Sequence, residues 1–183
     1  MRISVPLAKA YRLLNHGPVT LVTSAHAGKR NVMAAAWAMA LDFDKLTVVI
    51  DKSAFSRTLM EASGEFVINI PAKGLAKAVV QVGNSNGECI DKFSAFGLSV
   101  ENEPSTDIPL VSGCAAWVHC KIIPEPHNQQ TYDLFIGEIV GAWADDEAFK
   151  DGHWSFANED LKTLHYVAGG AFYVTGESLN VEL

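Results

Sequence analysis

The stretch Asn31-Val32-Met33-Ala34-Ala35-Ala36-Trp37-Ala38-Met39-Ala40-Leu41 (NVMAAAWAMAL, residues 31–41) decides the fold. On intrinsic propensity its alanines favour a helix. Its flanks argue otherwise. Val19-Thr20-Leu21-Val22-Thr23, with the turn Ala27-Gly28-Lys29 after it, reads as a strand, and Thr47-Val48-Val49-Ile50 is β-branched throughout. Placed between two strands, residues 31–41 are expected to be a third, built of small side chains.

Working outward, Pro6 to Asn15 carries Leu7, Ala10, Tyr11 and Leu14 at helical spacing, ended by Gly17-Pro18. Ser53 is placed to cap a helix that runs to Ser63 and stops at Gly64. Phe66 to Ile70 reads as a strand closed by Pro71, and Gly74 to Val82 as a second helix. Residues 83–113, punctuated by Gly83, Gly87, Gly97, Pro104 and Pro109, read mostly as irregular connection. Ala115 to Ile123 and Thr131 to Trp143 form a long hairpin around the turn-rich Pro124-Glu125-Pro126-His127-Asn128. A loop from Asp145 to Asn158 precedes a last short strand near Phe172-Tyr173-Val174. The total is six or seven strands and two or three helices without regular alternation. That disfavours a doubly wound parallel sheet and fits a mainly β architecture with peripheral helices, a mostly antiparallel barrel of Greek-key type.

Composition narrows the function classes. The 183 residues, 49% hydrophobic and 19% charged, suffice for one domain over residues 1–183 and exclude intrinsic disorder. Fourteen basic against 21 acidic residues give a net charge of −7, and the longest basic run is Lys29-Arg30. Neither a nucleic acid partner nor polybasic membrane attachment is expected. Cys89, Cys114 and Cys120 match no metal spacing and read as reduced thiols or buried small hydrophobes, and no metal is expected. The apolar positions of the N-terminus are broken by Lys9, Arg12 and His16, unlike a signal peptide, and no apolar window reaches ~18 residues. The expectation is a soluble, cytoplasmic protein.

Two segments could carry chemistry. Asp51-Lys52-Ser53-Ala54-Phe55-Ser56-Arg57-Thr58 follows a strand and opens a helix. Unpaired N–H groups at a helix start, joined by hydroxyls and by the Lys52 and Arg57 charges, make a phosphate cradle. An ordinary cap on a solvated helix explains the same residues. The small strand Ala34-Ala35-Ala36, bracketed by Asn31, Met33 and Trp37, would let a flat ligand lie against backbone, or would pack tightly against a helix. No G-x-G-x-x-G follows a strand and no P-loop is present. His119 and Cys120 are adjacent and would face opposite sides of a strand. Trp117, Trp143 and Phe135 fit a core better than a ligand box.

Taken together, the segments resemble the flavin reductase-like FMN-binding family, and within it the flavoredoxin type. The matching pieces are Gly17-Pro18-Val19, Leu21-Val22-Thr23, Asn31-x-Met33 and Ala36-Trp37. Asp51-Lys52-Ser53-x-x-Ser56-Arg57 and Gly64-Glu65-Phe66-Val67-x-Asn69-Ile70-Pro71 follow, then Asp91-Lys92-Phe93 and Phe135-Ile136-Gly137-Glu138. They come in the family's order across about residues 15–145. The resemblance implies an FMN-binding split β-barrel and a homodimer with each flavin near the subunit interface. It assigns backbone contacts to the flavin ring to Asn31, Met33, Ala34, Ala35, Ala36 and Trp37. It assigns the phosphate to Lys52, Ser53, Ser56 and Arg57, and an approach to the cofactor to Lys92 and Phe93. Reductase members often carry an Asp-His pair where this chain has Thr131-Tyr132. A phenol does not change charge near neutrality as imidazole does, which puts efficient NAD(P)H turnover in doubt. His165 is a candidate for lining the site from the C-terminal side. The implied activity is electron or hydride transfer through FMN from NAD(P)H or a redox protein, with a non-enzymatic flavin-binding or storage module as the alternative.

Overall fold

A computed structural model describes residues 1–181. Strand β1 (Arg2–Ser4) leads into helix α1 (Leu7–Ala10), which tightens to a 3-10 turn at Tyr11–Leu13. β2 (Thr20–His26) and β3 (Lys29–Ala35) form a hairpin around Ala27-Gly28, both at positive φ, and β4 (Ala38–Asp42) and β5 (Lys45–Val49) form the next. Helix α2 (Phe55–Ser63), β6 (Glu65–Pro71), α3 (Ala76–Gly83) and α4 (Lys92–Phe96) follow. After the short pair β7 (Val100–Glu101) and β8 (Leu110–Val111) come β9 (Cys114–Ile123), α5 (Pro126–Tyr132) and β10 (Leu134–Asp145). The chain ends in two small hairpins, β11 (Phe149–Lys150) with β12 (His153–Trp154), and β13 (Leu164–Ala168) with β14 (Ala171–Val174).

The main sheet is antiparallel in the order β3-β2-β6-β9-β10-β5-β4, with β1 added beside β10. Its first and last strands are consecutive in the chain. The sheet has therefore curled into a barrel that stays open between β3 and β4, a split barrel. Period-2 alternation fills it. Val22, Ala35, Ala38, Val48, Ile68, Val118 and Phe135 point into one apolar cluster. Leu21, Val67 and Trp117 point outward into a second cluster beneath α3 and α4. Cys120 lies in the barrel core while His119 turns the other way, its Nε2 2.9 Å from Glu65 Oε2.

The stretch 31–41 is extended, as its flanks require, but it is two strands. The chain leaves the sheet at Ala36-Trp37, where the Trp37 carbonyl oxygen accepts from Val49 N across to the other sheet edge (3.0 Å). The segment read as a turn between the long strands is helix α5. Pro126 sits at its first turn, where proline is pre-organised for a helix, and Asp133 ends it at φ +55°. Ser53 does not cap α2; that position belongs to Ala54, which offers no side-chain acceptor. The strand count of six or seven is also corrected, because short pairs such as β7–β8 and the strand β13 carry too few residues to show a period. Trp117 is buried with its Nε1 donating to Val111 O (2.9 Å), and Trp143 packs against the second cluster, so the hairpin tryptophans are covered within the chain. The exposed apolar row lies on β4 and its turn instead: Trp37 is 75% exposed, and Met39, Leu41 and Phe43 are exposed with it. No helix among the described residues is long and apolar enough to cross a membrane.

Candidate functional site

Two cavities adjoin along β3 and share Ala34 and Gly83 as lining. The smaller, about 190 Å³, is formed by Asn31 and Met33 of β3, by Ser53 to Ser56 at the entry to α2, and by Ser85, Asn86, Gly87 and Lys92. The larger, about 490 Å³, runs between Ala34 and Ala36 on one side, Val79 and Val80 of α3, and Tyr166, Gly169, Gly170 and Phe172 of the β13–β14 hairpin. It is within the range of ~300–1,000 Å³ usual for small-molecule sites and mainly apolar. A groove of about 980 Å³ between the β2–β3 turn and residues 100–109 is larger, but it is lined by none of the residues expected at the cofactor.

The smaller cavity has the chemistry of an anion subsite. Lys92 is 3% exposed, and its Nζ donates to Val82 O at 2.8 Å. An ammonium has three N–H donors, so two remain without a protein partner among the described residues. Burial pulls this amine down to about 8 from its ordinary 10.5. The residue is held in place because Asp91 caps α4, its Oδ1 accepting from Phe93 N (3.1 Å) and its Oδ2 from Ser94 Oγ (2.8 Å). Ser56 is fully buried; its Oγ accepts from Asn31 Nδ2 at 2.9 Å, which leaves the hydroxyl proton to donate. Helix α2 starts at the same place without a side-chain cap, so its first N–H groups and partial positive charge face the cavity. Asp51 Oδ1 accepts from both the backbone N (2.8 Å) and Oγ (2.6 Å) of Ser53 and so shapes the loop. Gly87 presses on Asn31: a Cβ there would come within 2.1 Å of Asn31 Oδ1.

Asn31, Met33, Ala34, Ser53, Ser56 and Lys92 are thus brought together, and Ala36 joins them through the larger cavity. The other candidates lie elsewhere. Ala35 points into the barrel core, and its carbonyl accepts from Thr20 Oγ1 (2.8 Å). Phe93 is buried in the second cluster under the Arg30 guanidinium, 4.4 Å from its ring centroid. Lys52 is exposed and lines neither cavity, and Trp37 stands on the surface just past Ala36.

Arg57 is the main correction. Its guanidinium does not line the cavity; Nε donates to Glu61 (2.8 Å), Nη1 to Asp133 and to Ile50 O, and Nη2 to Gln129 O (2.8 Å). The fork expected at a phosphate instead ties α2 to α5. His165 likewise faces away from the cavities, toward Gly17 O and Thr175, while its neighbour Tyr166 lines the larger one. Tyr132 is 60% exposed beside His127 and lines neither cavity. Sequence reasoning missed Asn86, Gly87, Tyr166 and Phe172. The Gly83/Gly87 pair and the Gly169-Gly170 turn were the available signals, since both let backbone approach a ligand.

The model of the flavin reductase like domain matches residues 12–174. A similar protein, the uncharacterized YddH of Escherichia coli K12, is 39% identical over 180 residues, covering 96% of this chain and 95% of its own. Among solved structures, the chain is similar to an FMN-binding domain of a flavin reductases-like enzyme from Shewanella baltica OS155. That match has 48% identity and a TM-score of 0.97, over 100% of this chain and 98% of the other. It is also similar to the flavoredoxin of Desulfovibrio vulgaris (Miyazaki F), at 25% identity and a TM-score of 0.78 over 90% and 89% of the two chains.

Proposed function

The chain belongs to the flavin reductase-like family, and from that premise we propose that it is an FMN-dependent oxidoreductase whose flavin occupies the joined cavities along β3. The observation that supports this most is the buried Lys92 ammonium with two N–H groups to spare, set beside the uncapped start of α2 and opening onto an apolar cavity. That donor set suits the single phosphate of FMN, with Lys92, Ser56 and the first N–H groups of α2 as its holders. Small side chains at Ala34 and Ala36 let backbone approach the ring, and Tyr166 and Phe172 exclude water from it. When bound, FMN supplies the redox chemistry, accepting and returning a hydride or single electrons.

The donor is NAD(P)H or a redox protein, and the acceptor uses the same open face. Tyr132, where reductase members often carry histidine, favours the carrier role of a flavoredoxin-like protein. A second copy of the chain is the partner we infer for the row Trp37, Met39, Leu41 and Phe43, since an apolar ridge of this kind marks an interface.

Consumption of NADH and NADPH, with and without added FMN, tests the reading. Consumption that depends on FMN supports nicotinamide as donor. A yellow protein that ignores both nicotinamides but is reduced by a redox protein supports the carrier. Bound FMN with neither activity would make the protein a flavin-binding or storage module. Calorimetry gives a separate arm, because Lys92, Ser56 and the start of α2 form a cluster sized for one phosphate: FMN should bind more tightly than FAD, and equal affinity would count against the site.

A further inference from the structure

Four polar side chains outside the cavities form one continuous chain of hydrogen bonds. His16 Nε2 lies 2.8 Å from Thr163 Oγ1, Thr163 Oγ1 lies 2.7 Å from Thr175 Oγ1, and Thr175 Oγ1 lies 3.0 Å from His165 Nε2. His165 Nδ1 then meets Gly17 O at 3.1 Å. Because Gly17 O can only accept, His165 Nδ1 carries a proton, which leaves Nε2 facing Thr175 Oγ1. With His165 neutral, Thr175 donates to it, Thr163 donates to Thr175, and His16 Nε2–H donates to Thr163. Thr175 Oγ1 has a second acceptor in Thr163 O at 3.4 Å. His16 Nδ1 is left as a buried lone pair with no partner.

The network joins two parts of the molecule. His16 and Gly17 precede Val19, which lines the larger cavity. Thr163, His165 and Thr175 lie in and beside the β13–β14 hairpin, which supplies Tyr166, Gly169, Gly170 and Phe172 to the opposite wall. That hairpin is a two-stranded sheet of its own. An isolated hairpin is at best marginally stable, so its docking depends on such ties. Backbone ties nearby are Val19 N to Leu164 O (2.7 Å), Thr175 N to Thr163 O (3.0 Å) and Lys73 N to Lys162 O (2.8 Å), with a bridge between Ala72 and Thr163.

We infer that His16, Thr163, Thr175 and His165 are positioning residues that hold the β13–β14 hairpin as a wall of the larger cavity, and that acid releases this wall. At His16 an added proton has no partner. At His16 Nδ1 it enters a site walled by Trp154 and Phe156, with ring centroids 4.9 and 6.5 Å away, and stands 5.5 Å from the His165 ring. The charged groups of adjoining segments offer no compensation. Arg12 is engaged with Gly152 O and the exposed His153, Lys162 with Glu159, and Lys73 with Asp160. Burial, reinforced by the His165 ring, accordingly pushes His16 down to about 4. Undocking removes the His165 ring and opens that side of His16 to water, raising its value toward the ordinary 6.5, so linkage makes the undocked hairpin up to roughly 20-fold more populated at pH 5 than at pH 7.

Amide hydrogen exchange of the ligand-free protein tests this without reference to the flavin reading. After correction for intrinsic rates, amides of Leu164–Val174 should exchange up to roughly 20-fold faster at pH 5 than at pH 7, while those of β6 and β9 stay unchanged. His16→Phe, which keeps an aromatic ring against Trp154, should abolish most of that pH dependence. Thr175→Val should loosen the hairpin already at pH 7. Hairpin exchange that tracks β9 at both pH values overturns the proposal, as does an unchanged pH dependence in His16→Phe. Should His16→Phe not fold, hairpin protection in Thr175→Val equal to that of the parent at pH 7 overturns it instead. The consequence for flavin retention rests on the function proposed above. FMN should dissociate faster at pH 5 than at pH 7, and a flat FMN off-rate beside a responsive hairpin would fault the flavin placement and leave the network standing.

Discussion

Lys92 and Arg57 are both buried cations near the start of α2, yet the structure gives them different tasks. Lys92 keeps two N–H groups for a ligand, whereas Arg57 bonds two carboxylates and two carbonyls of its own chain. Bonds to charged groups are worth about 1.5–3 kcal/mol, which at ~1.4 kcal/mol per decade makes Lys92→Met weaken FMN roughly ten- to a hundredfold. Riboflavin, lacking the phosphate, should bind as before; calorimetry on both ligands checks the pair. Arg57→Ala should instead lower stability by about 2 kcal/mol or more in denaturant unfolding, with FMN and riboflavin affected alike. The charge on Lys92 also sets a pH profile. Its amine, pulled to about 8, is cationic below that value and neutral above it. Between pH 7 and 8 FMN affinity should therefore change little, and above pH 8 it should fall by up to about tenfold per unit, with no matching fall for riboflavin. The segment around Ser53 and Ser56 was legible because hydroxyls before a helix have few other uses. Arg57 was not, because its partner Asp133 lies 76 positions along the chain and no local pattern announces it.

Among the elements, the barrel strands were the most legible, since β-branched and aromatic residues at period 2 have one reading. Residues 31–41 came out extended for the reason their neighbours gave. The break at Ala36-Trp37 left no trace in composition, because it arises from the closure of the barrel. Helix α5 was hidden by two prolines, one of which marks its first turn, and β13 by a sequence too short to show a period. The strands themselves make a sharp prediction at Gly137 of β10. A Cβ there would come within 2.8 Å of both Cys120 Cβ and Phe66 Cζ, where β6, β9 and β10 face the barrel core. Gly137→Ala should cost about 1–3 kcal/mol through overpacking, read as a lower midpoint in denaturant with the slope unchanged. A neutral result would mean that the core has room the packing does not show.

At the scale of the whole molecule, what the chain leaves uncovered matters as much as what it buries. β9 and β10 carry Trp117 and Trp143 against the second apolar cluster, so the requirement for cover on these strands is met internally. The requirement reappears at β4, an edge strand, where Met39 and Leu41, with Trp37 before the strand and Phe43 after it, are all large, apolar and exposed. These exposed side chains make an apolar ridge along β4, with Leu41 at the shift in its pairing register, Phe43 on the turn and the Tyr11 ring 5.1 Å from that of Phe43. Such a ridge at the open seam of the barrel, beside Ala36 of the larger cavity, is where a second copy would sit. Sedimentation at micromolar concentration should then give a species of twice the 19.8 kDa chain mass. Met39→Lys, which sets a charge in the middle of the ridge without touching either cavity, should shift that species to the monomer while the thermal midpoint of the isolated chain stays within a few degrees. A parent protein that sediments as a monomer, or a Met39→Lys protein that remains a dimer, would move the interface off this strand.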